Sequence, residues 1–166
     1  MAEPNNTLDR LKTLPMFESG TPATAADVRN IEVRLGVDLP PGYVSFLLKY
    51  GYAGWFGNEI LGMRPADPVT GLPSTVTSDC IAKTLEQRSP QRRNGTAHLP
   101  PQHVVISTDG GGSSFVLFGL NSPHGGEVHC YNAEDAEGPI RTWKSFEDYL
   151  DEQINEASTS RHDSGA

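Results

Sequence analysis

The sequence predicts an α+β fold in a single domain, and three observations carry that reading. Helix punctuation is concentrated between residues 24 and 51, closely spaced apolar strands run from 103 to 132, and an amphipathic helix follows Trp143. Strands that neighbour one another so closely in sequence favour an antiparallel sheet, here with helices packed against it. At 166 residues with 36% hydrophobic content the chain fits one core, and a domain of this size buries roughly 70% of its unfolded surface.

Taken in chain order, residues 1–21 form a polar extension whose only apolar anchors are Leu8, Leu11, Leu14, Met16 and Phe17, and it is not expected to carry the fold. The segment TAADVRNIEVRLG then has a capping Thr24, Asp27 three residues on, and Gly36 as a left-handed stop. Its Val28, Ile31 and Leu35 fall on one helical face. In DLPPGYVSFLLKYG the prolines end that helix and set the start of the next, with Tyr43, Val44, Phe46, Leu47 and Tyr50 apolar before Gly51. So short a break makes the pair a helical hairpin.

Gly54 and Gly57 bracket Trp55 and Phe56 ahead of a short strand around Ile60, and the proline-rich residues 63–77 are expected to form a loop. Ser78 is expected to cap a helix reaching about Arg88, with Ile81 and Leu85 on its buried side. HVVIS, FVLFGL and GEVHCYN read as three strands, and GPIRTW as an extended lead-in to the last helix. That helix has Ser145 as cap, a buried stripe of Phe146, Tyr149, Leu150 and Ile154, and an acidic outer face of Glu147, Asp148, Asp151 and Glu152. The domain is expected to span 22–154, with 155–166 a disordered tail.

Composition narrows the function. The net charge is -8, and between Glu127 and Glu156 nine acids face only Arg141 and Lys144, a local balance of -7. Nucleic-acid binding needs clustered cations, so a nucleic-acid partner is not expected. No run of ~18 apolar residues offers a membrane span, and the start lacks a signal peptide's basic and apolar regions, so the expected location is the cytoplasm. Cys80 and Cys130 have neither disulfide-framework nor zinc-knuckle spacing and read as packing residues.

STDGGGSS, residues 107–114, invites a phosphate-loop reading that its flanks refuse. A Walker loop requires a lysine after its last glycine and must open a helix, whereas Gly112 is followed by two serines and a strand. Asp109 to Gly112 are therefore expected to form a hairpin turn. No cofactor and no metal are expected, since His129 and Cys130 point to opposite strand faces and match no ligand spacing with His98, His103 or His124. Glu134 and Asp135 lie in a glycine-flanked loop, NAEDAEG, unsuited to paired acid–base work. Trp55 and Phe56 are either a lid on the core or an exposed aromatic anchor. The acidic loop, the acidic helix face and the Asp109 turn together offer a negative patch.

The segment TAADVRNIEVRLGVDLPPGYVSFLLKYGY resembles the opening of the SUKH superfamily. HVVISTDGGGSSFVLFGL is similar to that family's central hairpin, GEVHCYN to its next strand, and TWKSFEDYL to its closing helix, so the likeness covers residues 22–152. Tyr50-Gly51-Tyr52 stands where asparagine-glycine is commoner, and the proline-rich insertion is a second departure. The resemblance implies a twisted, mainly antiparallel sheet packed with helices, no catalytic residues, and a non-enzymatic immunity protein that neutralises a cognate toxin domain, such as a nuclease, by direct binding. It would act as a monomer or weak homodimer. On that reading the partner-binding residues are Trp55, Asp109, Glu134, Asp135 and Glu137. The alternatives are a regulatory protein-interaction scaffold of the cell-wall-assembly type and, more remotely, a hydrolase using Cys130 or a carboxylate.

Overall fold

A computed structural model describes residues 6–63, 79–92, 95–132 and 138–163. The elements in chain order are α1 (Asn6–Leu11), β1 (Glu18–Ser19), α2 (Ala25–Leu35), α3 (Pro41–Tyr50), β2 (Ala53–Trp55), β3 (Asn58–Ile60), α4 (Cys80–Gln87), β4 (His103–Thr108), β5 (Ser113–Phe118), β6 (Val128–Asn132), β7 (Arg141–Trp143) and α5 (Phe146–Asp163). They form a three-stranded sheet, β1-β2-β3, and a four-stranded sheet, β4-β5-β6-β7, antiparallel at every pairing. The α+β reading holds.

Local chemistry explains the helical hairpin. The Thr24 hydroxyl accepts from the Asp27 amide at 3.1 Å, and the Asp27 carboxylate accepts from the Thr24 amide at 2.8 Å. Gly36 closes α2 in the left-handed region at φ 68°, and Pro41 opens α3 where its missing N–H costs nothing. Gly51 combines positive φ, at 67°, with close packing: a Cβ there would sit 2.0 Å from the Thr21 carbonyl oxygen, and one at Gly62 1.7 Å from the Gly51 carbonyl oxygen. Three chain segments meet backbone to backbone there.

The core lies where α3 and α5 face the larger sheet. Tyr43 stacks on Phe46 at 5.9 Å, and Phe146 meets both rings at 5.4 and 5.8 Å. The Tyr43 hydroxyl donates to the Leu61 carbonyl at 2.7 Å, so a large buried ring leaves no polar atom unpaired. Strand β4 carries a bulge at Ile106, between the pairs Val105–Val116 and Ser107–Phe115. The carbonyl freed there accepts from the Leu61 amide at 2.7 Å, while the Val105 amide donates to the Thr84 hydroxyl at 2.8 Å.

Several expectations need correction. The N-terminal extension is built into the fold: Leu8, Leu11 and Leu14 are buried, Lys49 pairs with Asp9, and Asp151 of α5 accepts from Thr7 and Arg10 at 2.9 and 3.3 Å. The tail is helical rather than disordered as far as Asp163, because Arg10 and Arg141 draw Asn155 and Glu156 onto the domain. Asp79, not Ser78, caps α4, accepting from the amides of Ile81 and Ala82 at 2.7 and 3.3 Å. Leu85 is 44% exposed; α4 instead buries Cys80, Ile81, Thr84 and Gln87, because its docking on β4 uses the Thr84 hydroxyl. GPIRTW is more than a lead-in, since Arg141–Trp143 pair with β6. The loop expected at 63–77 lies, from residue 64 on, outside the described residues.

Candidate functional site

The glycine stretch forms the hairpin turn between β4 and β5. Gly110 and Gly112 take φ of 73° and 99°, a region that any side chain strains to enter. Asp109 organises the turn, its carboxylate accepting from the amides of Gly111 and Ser113, both at 2.9 Å. Burial pushes that carboxyl up, but the backbone donors outweigh it and hold it below the usual carboxylate range, so Asp109 is ionised at neutral pH. No helix springs from Gly112.

This turn meets the β2–β3 hairpin and the chain before β1 around a groove of about 540 Å³. Met16, Glu18, Phe56, Glu59, Asp109 and Gly110 lie along it, and among the described residues its lining contains three acids and no lysine or arginine. Two exposed apolar side chains rise from it: Met16 is 77% exposed and Phe56 69%. These are also the only non-glycine residues with positive φ among the described residues, at 57° and 36°. Such backbone costs of order 1–3 kcal/mol per residue and persists where the surroundings over-determine it. Here it holds two apolar side chains out in water, beside carboxylates.

The expected partner-binding residues fare unequally. Asp109 lies on the groove; Trp55 lines it too but is only 3% exposed, a wall of the core rather than an anchor. Its neighbour Phe56 takes the exposed place, because the tight β2–β3 turn sends the two side chains opposite ways. Glu134, Asp135 and Glu137 lie outside the described residues; Asn132, before them, pairs with Ser113, at the end of the sheet that bears the glycine turn. The acidic face of α5 is partly spent internally: Glu152 binds Arg141 and the Trp143 indole, and Asp151 binds Arg10. Glu147 and Asp148 of the helix stay exposed, so negative charge faces outward both there and at the groove. Met16, Glu18 and Glu59 went unsuspected, since only folding brings three separate segments together.

The cysteines are poor nucleophiles. Burial pushes the Cys80 thiol up to about 12, and burial, then the charge of Asp109, raises that of Cys130. Both pack in the core.

Fold and site together define an α+β domain built on a helical hairpin and a four-stranded antiparallel sheet, with an apolar-tipped acidic groove at one end. The chain belongs to the SMI1 / KNR4 family (SUKH-1), whose family model matches residues 22–152. No curated protein matches the sequence. Among solved structures, a crystal structure of a protein from Pseudomonas syringae pv. tomato shares the fold at a TM-score of 0.58 and 15% identity, covering 87% of this chain and 93% of its own. No helix among the described residues is long and apolar enough to cross a membrane.

Proposed function

We propose that this protein is a cytoplasmic, non-enzymatic immunity protein that binds a cognate bacterial toxin domain and blocks it through the groove between the β2–β3 hairpin and the glycine turn. The observation that carries the reading is the pairing of two strained, exposed apolar residues, Met16 and Phe56, with a lining that is acidic and, among the described residues, without lysine or arginine. Apolar anchors desolvated at the centre of an interface supply affinity, while surrounding carboxylates speed encounter with a basic surface such as a nuclease cleft. Membership of the SUKH-1 family supports the reading, because family resemblance implies toxin neutralisation by direct contact.

Co-expression with the toxin domain encoded beside it tests the proposal. Rescue of growth, a co-purifying complex, and weaker, less salt-dependent binding after charge reversal at Glu134, Asp135 and Glu137 together with Glu18 are expected. Failure to rescue growth overturns the immunity role and favours the regulatory scaffold. Rescue with unchanged affinity and salt dependence removes the acidic edge from the mechanism.

A further inference from the structure

We propose that His124, Glu127 and His129 bind one divalent transition-metal cation of the zinc class at the connection between β5 and β6. Nδ1 of His124 lies 3.5 Å from Oε2 of Glu127, and Nε2 of His129 lies 3.7 Å from the same oxygen. All three donor atoms fall within 4.8 Å of one another. Tetrahedral zinc with bonds near 2 Å holds its donors roughly 3.3 Å apart, so the widest pair, no more than 4.8 Å apart, must close by up to about 1.5 Å. His124 and Glu127 are partly exposed and have the freedom to make that move.

The backbone fixes the arrangement. The Phe118 amide donates to the Glu127 carbonyl at 2.9 Å and the Gly126 amide to the Phe118 carbonyl at 3.0 Å, which pins the strand carrying two of the donors. Glu127 and His129 stand two residues apart in extended chain and share a face. The Glu127 amide donates to the His124 carbonyl at 3.0 Å, turning the third donor back over them. Phe118 walls one side, its ring 4.8 Å from that of His129 and 5.0 Å from that of His124.

His129 supplies the observation that ordinary packing leaves unexplained. The residue is 4% exposed, and its buried Nε2 has no hydrogen-bond partner among the described residues. At 3.7 Å the Glu127 carboxylate is too far to accept a hydrogen bond, yet it faces that nitrogen. The Tyr131 hydroxyl sits 3.1 Å from Nδ1, and in the tautomer that carries its proton on Nδ1 the hydroxyl accepts it and Nε2 keeps a lone pair for a cation. A cation between Nε2 and the carboxylate would satisfy both.

Two imidazoles and a carboxylate suit zinc, cobalt or nickel rather than magnesium or calcium, and three protein ligands leave a fourth position for water or a partner's side chain. This site stands apart from the groove and does not depend on the immunity reading. The test uses the full chain stripped of metal, titrated with Zn²⁺ alone by calorimetry and with Co²⁺ followed by its visible absorption. One equivalent is expected to bind, with the intense bands of four-coordinate cobalt. His124→Ala and Glu127→Gln, both partly exposed positions, are expected to weaken binding by more than about tenfold with an unchanged circular-dichroism spectrum. Absence of saturable one-to-one binding, or binding that survives both substitutions unchanged, overturns the proposal.

Discussion

Thr96 and His103 meet in the interior with the threonine hydroxyl 2.8 Å from Nε2. Nδ1 lies 2.6 Å from the Pro100 carbonyl oxygen, which only accepts, so the proton is on Nδ1 and Nε2 accepts from Thr96. His103 is thus a neutral, fully partnered core residue. Burial, against the Pro100 bond and with help from Arg88 and His98, lowers its pKa to about 4. The unfolded imidazole titrates near pH 6.5, so below that pH the unfolded chain binds the extra proton first. Stability from this residue is complete above about pH 6.5 and is lost as pH falls towards 4, by about 3 kcal/mol in all. Urea unfolding at about pH 7 and pH 4.5 checks this: His103→Gln is expected to flatten the difference that the wild type shows.

Arg88 joins the end of α2 to the start of β4, donating to the Leu35 carbonyl at 2.9 Å and to the His103 carbonyl. A lysine carries one ammonium where the guanidinium offers two directed arms. Arg88→Lys is expected to cost about 2 kcal/mol in chemical unfolding despite conserving charge.

Apolar burial, rather than the ion pairs, should hold the N-terminal segment. Removing residues 1–17 takes Leu8, Leu11 and Leu14 out of the core, and at about 1.5–3 kcal/mol for each side chain the loss should exceed about 4 kcal/mol. Asp151→Ala removes partners of Thr7 and Arg10 that are partly exposed, and is expected to cost about 1 kcal/mol or less. Comparing the two denaturation midpoints separates the contributions.

Trp55 and Phe56 should respond in opposite ways. Trp55→Ala opens a cavity in the core, with an expected loss of about 3–5 kcal/mol. Phe56→Gly relieves positive φ and touches little buried surface, so stability should hold or rise by up to about 1 kcal/mol. Toxin-domain affinity, measured by calorimetry, should nonetheless fall at least about tenfold.

The parts of the fold written in local chemistry were legible in the sequence. Thr24 with Asp27, Pro40 with Pro41, and the Asp109–Gly112 turn each act within a few residues, so their structural outcome is set before any tertiary contact forms. Helix α1 was missed because six residues cannot display a period, and its place is set by burying Leu8 and Leu11 in a core and meeting Asp151, over a hundred residues away. The orientation of α4 was misjudged because Thr84, a polar residue, turns inward to serve a strand amide. The groove and the His124–Glu127–His129 cluster were invisible for a related reason: neither follows one periodicity, the first being assembled from three segments and the second from a turn running into a strand.

The bulge at Ile106 and the Thr84 hydroxyl bear on how copies of this protein behave when crowded. With Leu61 bound to the Ile106 carbonyl and Thr84 to the Val105 amide, the outer rim of the larger sheet is already occupied on that side. The Val105 amide and the Ile106 carbonyl are closed to an added strand at the middle of this edge, which interrupts the template that edge-to-edge polymerisation needs.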